Sequence, residues 1–420
     1  MIAPAVDARA VIDDMRRHVS TGRASLAELI GGHVEVRSYA SKVVDARGHE
    51  FLDCGGYGVF ILGHCHPRVV AAVREQIERH PLATRLFAEP RQAQAAAALA
   101  ARAPDGLERV HFVNSGAEAT EAAIKIARTH GKRHLVTMTH GFHGKTLGAL
   151  SVTAQEVYQA PFRPLLPDVT QVAFGDAAAL AGALEAFDDC CVILEPVQGE
   201  GGVISPPPGY LTEVQALCRS HGAFFVLDEI QTGLGRLGSW WGADAEGIVP
   251  DVMLVGKGLS GGVVGVAAAI ATPEAYAVLD RDPFLHTSTF AGAPLAMAAA
   301  CATLEVIEEE DVVERARVLG DRLLGEISAL DAFAAGGPVT EVRGRGLLVG
   351  IEFAQPHHAA ELVLELLDRR VIVNSALNNN NVVRLTPPAV MDESDMQWLL
   401  EALNQAGKAV EQTHYREARP

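Results

Sequence analysis

A lysine and an aspartate at the ends of two apolar runs are the residues of this sequence best suited to chemistry. Asp228 ends the run Ala-Phe-Phe-Val-Leu-Asp, and Lys257 lies between two glycines directly after Val-Met-Leu-Val. An unpaired charge is costly to bury, so each residue needs either a partner or a function. The structural interpretation is that Asp228 and Lys257 form an ion pair with each other.

A chemical interpretation also fits these two residues. A lysine in a dry site lined by glycine loses its charge easily and becomes a nucleophile towards carbonyl groups. A nearby acid can keep a pyridinium nitrogen protonated. A Schiff-base lysine with an acid at the ring nitrogen is the pair that pyridoxal phosphate requires. At this point both interpretations stay open.

The elements around these residues predict how they are positioned. Apolar runs of strand length alternate with helical segments, and polar residues follow the strand ends, which is typical of a mostly parallel sheet covered by helices on both faces. Residues 110–113 form such a run, and Ser115-Gly116-Ala117 separates it from a helix at 118–129. This turn is either an anion site at a helix start or an ordinary N-cap.

Outside this region we expect a helix over residues 7–21, a loop up to 35, and short strands within 36–53. A helix is predicted at 294–309, a strand at 347–353, a turn at 378–381 and a last helix near 396–410. We expect an N-terminal segment (1–60) that joins the small domain, a large cofactor-binding domain (61–310) and a C-terminal small domain (311–420).

Two motifs compete with this interpretation. Residues 233–238 match GxGxxG, but Ser-Trp-Trp-Gly follows, which is a poor helix start, so a dinucleotide site is not expected. Residues 258–262 match the GxSxG motif of serine hydrolases, with Ser260 as the nucleophile. Another apolar run follows instead of a clear helix, which argues against that function.

Composition limits the partners. The chain has 420 residues, with 35 basic and 52 acidic side chains and a net charge of −17, which argues against nucleic acid or an anionic membrane as partner. The six cysteines show no disulfide or zinc pattern, and we recognise neither a signal peptide nor a membrane span. We therefore expect a cytoplasmic protein. His64 and His66 lie two apart without further ligands, so no metal is expected.

Taken together, the motifs resemble those of the class-III (omega-amino-acid) aminotransferases, which belong to the fold-type-I pyridoxal-phosphate enzymes. The resemblance extends from about residue 30 to 415, and the ornithine, acetylornithine and putrescine branches look most similar. The motifs that carry it are Leu-Gly-His-Cys-His-Pro (62–67), Asn-Ser-Gly-Ala-Glu-Ala (114–119), Gly-Phe-His-Gly (141–144), Glu-Pro-Val-Gln-Gly-Glu (195–200), Asp-Glu-Ile-Gln-Thr-Gly (228–233), Gly-Lys (256–257) and Arg-Leu-Thr-Pro-Pro (384–388).

The resemblance implies a role for each of these positions. Lys257 forms the Schiff base with pyridoxal 5'-phosphate and then moves the substrate proton, and Asp228 pairs with the pyridine nitrogen. It also implies that Ser115, Gly116 and Ala117 bind the cofactor phosphate, together with Thr289 of a second subunit. Phe142 and Ile230 lie on the two faces of the ring, and Gln231 contacts the ring hydroxyl. His143 and Glu195 border the cofactor.

The resemblance also implies how substrates bind to a homodimer with shared active sites. Arg384 binds the carboxylate of a keto acid, 2-oxoglutarate or pyruvate, and Glu200 pairs with Arg384 when that carboxylate is absent. The donor is an amine or an omega-amino acid, and a peptide terminus is not excluded. We expect the amino donor to be selected by Tyr57, the Trp240–Trp241 pair and residues 378–381.

Three features depart from the family pattern. Ala-Gly-Ala-Pro stands at residues 291–294, residues 378–381 are rich in asparagine, and Ala117 has no hydroxyl group. None of these three features involves Lys257 or Asp228, so they affect the expected substrate and subunit contacts and not the expected binding of the cofactor. Aminomutases, epimerases and decarboxylases share this fold, and such a reaction is the alternative to amino transfer.

Overall fold

A computed structural model describes residues 6–334 and 336–417 of the chain. The helices in these residues are α1 (Ala8–His18), α2 (Thr21–Leu29), α3 (Pro67–Arg79), α4 (Pro90–Ala100), α5 (Gly116–Thr129), α6 (Leu147–Val152), α7 (Glu156–Gln159), α8 (Ala177–Ala186), α9 (Tyr210–Ser220), α10 (Pro273–Arg281), α11 (Pro294–Glu309), α12 (Val312–Ser328), α13 (Pro356–Asp368) and α14 (Glu393–Glu417).

Strands in the same residues are β1 (Glu35–Tyr39), β2 (Lys42–Asp45), β3 (Glu50–Asp53), β4 (Arg109–Val113), β5 (His134–Met138), β6 (Val169–Val172), β7 (Cys190–Leu194), β8 (Phe224–Asp228), β9 (Val252–Val255), β10 (Ala267–Ala271), β11 (Val339–Arg345), β12 (Leu348–Phe353), β13 (Val371–Ile372), β14 (Asn374–Ala376) and β15 (Asn379–Leu385).

A seven-stranded sheet forms the centre of the molecule. Its strand order is β4-β10-β9-β8-β7-β5-β6, and only β10 pairs antiparallel with its neighbours. Strands β7, β9 and β10 are buried along their whole length, which explains why they are continuous apolar runs rather than alternating ones. The predicted fold, a mostly parallel sheet between helices, is therefore confirmed.

Hydrophobic clusters on both faces attach the helices to this sheet. One face packs with α11, whose buried residues include Met297, Leu304 and Ile307. The opposite face packs with α5 through Ala123, Ile126 and neighbouring residues. Helix α11 begins at a proline, Pro294, whose missing N–H is not needed in the first helical turn.

Two smaller sheets lie outside this centre. Strands β1, β2 and β3 form a meander, and β13 adds to it in parallel, with Val371 opposite Leu52. The N-terminal and C-terminal parts of the chain thus share one sheet. Strands β11, β12, β15 and β14 form an antiparallel sheet that packs against α13 and α14 around Ile351, Leu362 and Leu399. The three domain limits expected from the sequence stay a prediction.

Several local expectations were wrong. The predicted loop before residue 35 contains α2, whose first turn Ser20 caps through its side chain. Residues 379–381 belong to β15 instead of a turn, because β15 pairs with both β12 and β14; only Leu377 and Asn378 turn. Strand β11 was not predicted, and α14 is longer than expected at both ends. Among the described residues, no helix is both long and apolar enough to cross a membrane.

Candidate active site

The carboxyl ends of the central strands surround a cavity of about 200 Å³, here called the catalytic cavity. Parallel strands place their carboxyl ends at one edge of a sheet, so the segments that follow β5, β7, β8 and β9 meet there. The residues that line the catalytic cavity are Gly116, Ala117, Phe142, His143, Gly144, Glu195, Glu200, Asp228, Ile230, Gln231 and Lys257. Ten of the fourteen site residues expected from the sequence are therefore in this lining.

Lys257 enters the cavity from a short turn directly after β9. Its backbone is left-handed, with φ at 43°, in a 3₁₀ turn that starts after Gly256. Burial lowers the pKa of the Lys257 ammonium group, and the nearby Arg384 lowers it further, although Glu200, Asp228 and Glu195 act in the opposite direction. A lysine with a lowered pKa is the nucleophile that the sequence interpretation requires.

Asp228 ends β8, is 3% exposed, and pairs with a histidine instead of Lys257. Its Oδ2 lies 2.7 Å from His143 Nδ1, and its Oδ1 accepts the Ile230 N–H at 3.0 Å. The ion pair between Asp228 and Lys257 that the sequence left open is absent from the described residues. His143 Nε2 is buried without a hydrogen-bond partner among them.

Glu195 joins the loops after β5 and β7. One of its oxygens accepts the Phe142 N–H at 3.1 Å, and the other accepts the Gly199 N–H at 3.1 Å. Burial raises the pKa of Glu195 to about 7, while His143 and the two N–H groups moderate that rise. Glu195 therefore fixes the backbone that presents the Phe142 ring to the cavity.

The start of α5 closes one end of the cavity. Ser115 is the N-cap, and its Oγ accepts the Glu118 N–H at 3.3 Å. The first N–H groups of a helix have no intrahelical partners, so those of Gly116 and Ala117 can bind an anion. A Cβ at Gly116 would lie 2.9 Å from Ile230 Cδ1, so a side chain there would require the Ile230 side chain to shift. A second cavity of about 360 Å³, which contains Ser115, shares Gly116 and Lys257 with the catalytic cavity.

An arginine and a glutamate form a buried pair at the other end. Arg384, 1% exposed, comes from β15, and its Nη1 lies 2.5 Å from Glu200 Oε1. Burial alone would raise the pKa of Glu200, but Arg384 and Lys257 lower it overall, so this carboxyl group is ionised. Arg384 also donates to Gln231 Oε1 at 3.3 Å. Arg384 Nη2, Arg384 Nε and Gln231 Nε2 are buried without a partner among the described residues.

Tyr57 and Thr289 lie outside the lining of the catalytic cavity. Tyr57 is 62% exposed in a turn held by Asp53, whose carboxylate accepts the Gly55 N–H. The next residue, Gly58, lies close to Gln231, so this turn borders the end of the cavity with Arg384. Thr289 of the same chain lines a separate cavity of about 550 Å³. The roles expected for Tyr57 and Thr289 stay predictions.

The competing motifs have structural roles. Ser260 is 1% exposed and its hydroxyl donates to the Val264 carbonyl at 2.5 Å, and a strand follows instead of a helix, so it does not form a nucleophile elbow. The GxGxxG segment forms consecutive turns, and only a short 3₁₀ helix (Gly242–Ala245) follows it instead of an α-helix. Trp241 is 1% exposed and donates to the Arg102 carbonyl, and Trp240 lies against the Arg102 guanidinium. The Trp pair belongs to the core, so the expectation that it selects the donor was wrong.

Sequence reasoning missed Tyr158, and it named Asn378 as a candidate for donor choice without predicting its contacts. Asn378 donates from Nδ2 to the His140 and Gly141 carbonyls, at 2.9 and 3.0 Å. Tyr158 donates to the Leu377 carbonyl at 3.1 Å. The asparagine-rich sequence was noticed, but these contacts span more than 200 positions, and no local signal could have identified their partners.

Comparisons with known proteins agree with this geometry. The ornithine aminotransferase of Toxoplasma gondii superposes with a TM-score of 0.90 at 30% identity, covering 98% of this chain and 96% of that one. An omega-transaminase of Thermomicrobium roseum superposes with a TM-score of 0.88 at 29% identity, covering 96% of this chain and 98% of that one. The ornithine delta-aminotransferase of Plasmodium falciparum gives a TM-score of 0.82 at 27% identity, covering 97% and 99%.

These relatives define the class as pyridoxal-phosphate-dependent transaminases of fold type I. Residues 32–406 match the family model described as aminotransferase class-III, and the chain belongs to that family. The resemblance seen in the sequence, the transaminase activity and the cofactor expected from it are thus confirmed.

The catalytic cavity fits pyridoxal phosphate on structural grounds. It combines the anion-binding start of α5, a lysine with a lowered pKa, and a buried carboxylate backed by His143. Gln231 Nε2 offers an unused donor, and the missing side chain of Gly116 leaves space beside Ile230. A phosphate, an aldehyde, a pyridine nitrogen and a ring hydroxyl each have a complementary group here.

Proposed function

We propose that this enzyme moves the amino group of an amine or omega-amino acid to 2-oxoglutarate or pyruvate in a ping-pong reaction. The observation that carries this proposal is the buried pair of Arg384 and Glu200 beside Lys257. A guanidinium group grips a carboxylate with two parallel hydrogen bonds, and two nitrogens of Arg384 have no partner in the part of the chain that the structure describes. The pair could therefore accept an acidic substrate and a substrate without a carboxylate in turn.

The residues of the cavity divide the work of binding and proton transfer. When bound, pyridoxal phosphate supplies an aldehyde for the amino group and a ring that stabilises a carbanion. Lys257 would hold the aldehyde group, and its Nζ would take up and return the substrate proton. Asp228, oriented by His143, would keep the ring nitrogen protonated. Phe142 and Ile230 would contact the ring, one on each face.

The remaining contacts orient the cofactor and the substrate. Ser115, Gly116 and Ala117 would bind the phosphate, and Gln231 would donate to the ring hydroxyl, while Glu195 keeps the Phe142 loop in place. Tyr57, at the rim and 62% exposed, faces the substrate. These assignments are supported by their positions on four neighbouring strand ends and around the start of α5.

The visible absorption spectrum of the purified enzyme tests the proposed reaction. We expect a yellow protein that bleaches with particular amines or omega-amino acids and regains its colour with 2-oxoglutarate or pyruvate. A panel of donors in the first step identifies the donor class. Bleaching that no keto acid reverses would overturn the proposal of a keto-acid acceptor. It would favour the alternative among enzymes of this fold, an aminomutase, epimerase or decarboxylase.

We also propose a homodimer with shared active sites. Leu86, Phe87 and Phe284 are 83–89% exposed, and Phe290, beside Thr289, is 63% exposed. Large exposed apolar side chains in neighbouring loops are typical of a subunit interface. Thr289 lies in this surface and not in the catalytic cavity of its own chain, which supports a contact with the phosphate of a second subunit.

Light scattering during size-exclusion chromatography tests this assembly. We expect twice the chain mass of 44.5 kDa. Mixing Lys257→Ala chains with Thr289→Ala chains should restore part of the activity, because one of the two sites then has both intact residues. A monomer, or mixed dimers without restored activity, would overturn the shared site.

The proposed compartment is the cytoplasm. All six cysteines are free, and five of them are buried, as expected for a protein folded under reducing conditions. Fractionation of the source cells tests this, with activity expected alongside cytoplasmic markers. Activity in a membrane or secreted fraction would contradict it.

A further inference from the structure

Two histidines and a buried aspartate form a cluster in the N-terminal sheet, outside the catalytic cavity. His33 precedes β1, Asp45 ends β2, and His49 lies in the turn between β2 and β3. Asp45 Oδ2 lies 2.8 Å from His33 Nδ1 and 3.3 Å from His49 Nδ1. The three atoms lie within 4.8 Å of one another.

The aspartate is fixed in a way that leaves one oxygen facing the histidines. Asp45 Oδ1 accepts the N–H groups of Arg47 and His49, both at 2.9 Å. Oδ2 faces the rings of His33 and His49. A carboxylate with one oxygen held by backbone N–H groups has the supporting contacts typical of a metal ligand.

The histidines are accessible and ordered by their surroundings. The side chains of His33 and His49 are 27% and 40% exposed, so an ion can reach them from solvent. The ring of His33 packs edge-on against Phe51, with ring centroids 4.8 Å apart, which restricts its orientation. Both histidines present Nδ1 to Asp45 Oδ2, so the three candidate ligand atoms lie close together.

We propose that His33, Asp45 and His49 bind one divalent transition-metal ion such as Zn²⁺. Ligand atoms of tetrahedral Zn²⁺ are about 3.3 Å apart, so the widest separation here, at most 4.8 Å, must shrink by roughly 1.5 Å. Rotation of partly exposed imidazoles can supply that movement. Two imidazoles and one carboxylate suit Zn²⁺, Ni²⁺ or Co²⁺, whereas Mg²⁺ and Ca²⁺ prefer oxygen ligands.

Such an ion would stabilise the N-terminal sheet without taking part in amino transfer. The segment before β1 is attached to the β2–β3 hairpin by the Ala46 N–H to Val34 carbonyl bond and by Arg47, which donates to the Gly31 carbonyl. A metal ion shared by His33, Asp45 and His49 would add a cross-link between the same two segments. Binding to the folded state alone raises the unfolding temperature.

Calorimetric titration of the holoenzyme, prepared without a histidine tag, with Zn²⁺ tests the proposal. We expect one ion per chain with micromolar affinity and a higher unfolding temperature with Zn²⁺ present. His49→Ala and His33→Ala should each weaken binding at least about tenfold, since replacing even supporting groups has effects of that size. His49 is partly exposed, so its removal should leave the fold and the amino transfer activity intact.

His18→Ala is the matched control, because His18 is exposed and lies in α1, outside the cluster. It should bind Zn²⁺ like the natural chain. The proposal is overturned if the holoenzyme binds no Zn²⁺, or if His33→Ala and His49→Ala both bind it unchanged. The cluster would then be only a hydrogen-bonded turn.

Discussion

Two adjacent carboxylates, Asp228 and Glu229, face different regions of the molecule. Both are buried, with exposures of 3% and 1%. Asp228 lines the catalytic cavity and contacts His143, a group that can carry charge. Glu229 lies in what we call the packed turn region, residues 229–245, where it accepts the Ala243 N–H at 2.8 Å and the hydroxyl group of Thr232. Burial of an acid therefore does not by itself mark an active site.

Two buried arginines repeat this contrast. Arg384 pairs with Glu200 at the cavity, and two of its nitrogens have no partner among the described residues. Arg236, in the packed turn region, donates to the Leu347 and Pro387 carbonyls at 3.1 and 2.6 Å. Burial, together with the repulsion from Arg384, lowers the pKa of Arg236 to about 9. Arg236 Nε also lacks a partner among the described residues, but its other two nitrogens join segments of the chain, whereas Arg384 keeps two nitrogens for a ligand.

The comparison predicts the largest loss of activity at the one lysine in the cavity lining. Lys257→Ala should reduce amino transfer by at least about 10⁴-fold, because the group that moves the proton is gone. Cofactor should still bind without a covalent link, since the other cavity contacts remain. Absorption spectra and turnover measurements check both points. Lys408→Ala changes an exposed lysine of α14 and should keep full activity. Wild-type activity in Lys257→Ala would refute the assignment of the site.

The neighbouring carboxylates should differ in the same assay. Asp228→Asn should reduce turnover by about 10³-fold, because a neutral amide does not keep the ring nitrogen protonated. Glu229→Gln should change turnover less than threefold, since its contacts are to Thr232 and the Ala243 backbone. Steady-state kinetics at saturating donor and acceptor measure both variants. Equal losses in the two variants would break the distinction between the two regions.

Stability as a function of pH should reveal the packed carboxylate. Burial raises the pKa of Glu229 from 4.5 to about 7, so the folded state holds this proton more tightly than the unfolded state. Ionisation of Glu229 therefore lowers the free energy of unfolding. This loss is absent below pH 4.5, grows between pH 4.5 and 7, and reaches roughly 3 kcal/mol above pH 7. Glu229→Gln removes it. The unfolding temperature of the variant relative to the natural chain should therefore rise from pH 5 to pH 8; a constant difference would contradict this.

These distinctions show which parts of the fold and site are predictable from sequence. The strands β4 and β8 and the helix α11 were predicted closely, because apolar runs of strand length and a proline at a helix start are local signals. Lys257 and Asp228 were found as charges at strand ends. Strand β15 was mistaken for a turn over its first residues, because pairing with β12 and β14 outweighs the turn preference of asparagine.

Side-chain partners were the least predictable feature of the site. The contact between His143 and Asp228 joins residues 85 positions apart, and no spacing in the sequence encodes it. For the same reason, the sequence alone left an ion pair between Asp228 and Lys257 open, although the structure shows His143 as the partner of Asp228. The Trp240–Trp241 pair shows the opposite error, since aromatic residues near a motif more often pack in a core than face a ligand.

The two arginines should separate substrate binding from folding. Arg384→Lys should raise the KM for 2-oxoglutarate by roughly 100-fold, equal to about 3 kcal/mol, because an ammonium group cannot form two parallel bonds to a carboxylate. Arg236→Lys should lower the unfolding temperature and leave the KM for 2-oxoglutarate within about twofold of the natural chain's value. The reason is that this substitution removes hydrogen bonds to backbone carbonyls and no substrate contact. Initial rates over a range of keto-acid concentrations, with thermal unfolding in parallel, measure both. A raised KM in Arg236→Lys alone would reverse the roles given to the two regions.

The smallest expected effect is at Glu200, and its direction depends on the substrate. In Glu200→Gln the pair with Arg384 is lost, so a keto acid no longer has to displace a carboxylate 2.5 Å away, and its KM should fall by about tenfold. A donor without a second carboxylate should react more slowly, because Arg384 then lies buried and uncompensated beside it. Measuring the donor and acceptor half-reactions separately by stopped-flow absorption distinguishes the two effects. If both half-reactions slowed equally, Glu200 would be a structural partner of Arg384, like the carbonyls around Arg236, and not a group that substrates displace.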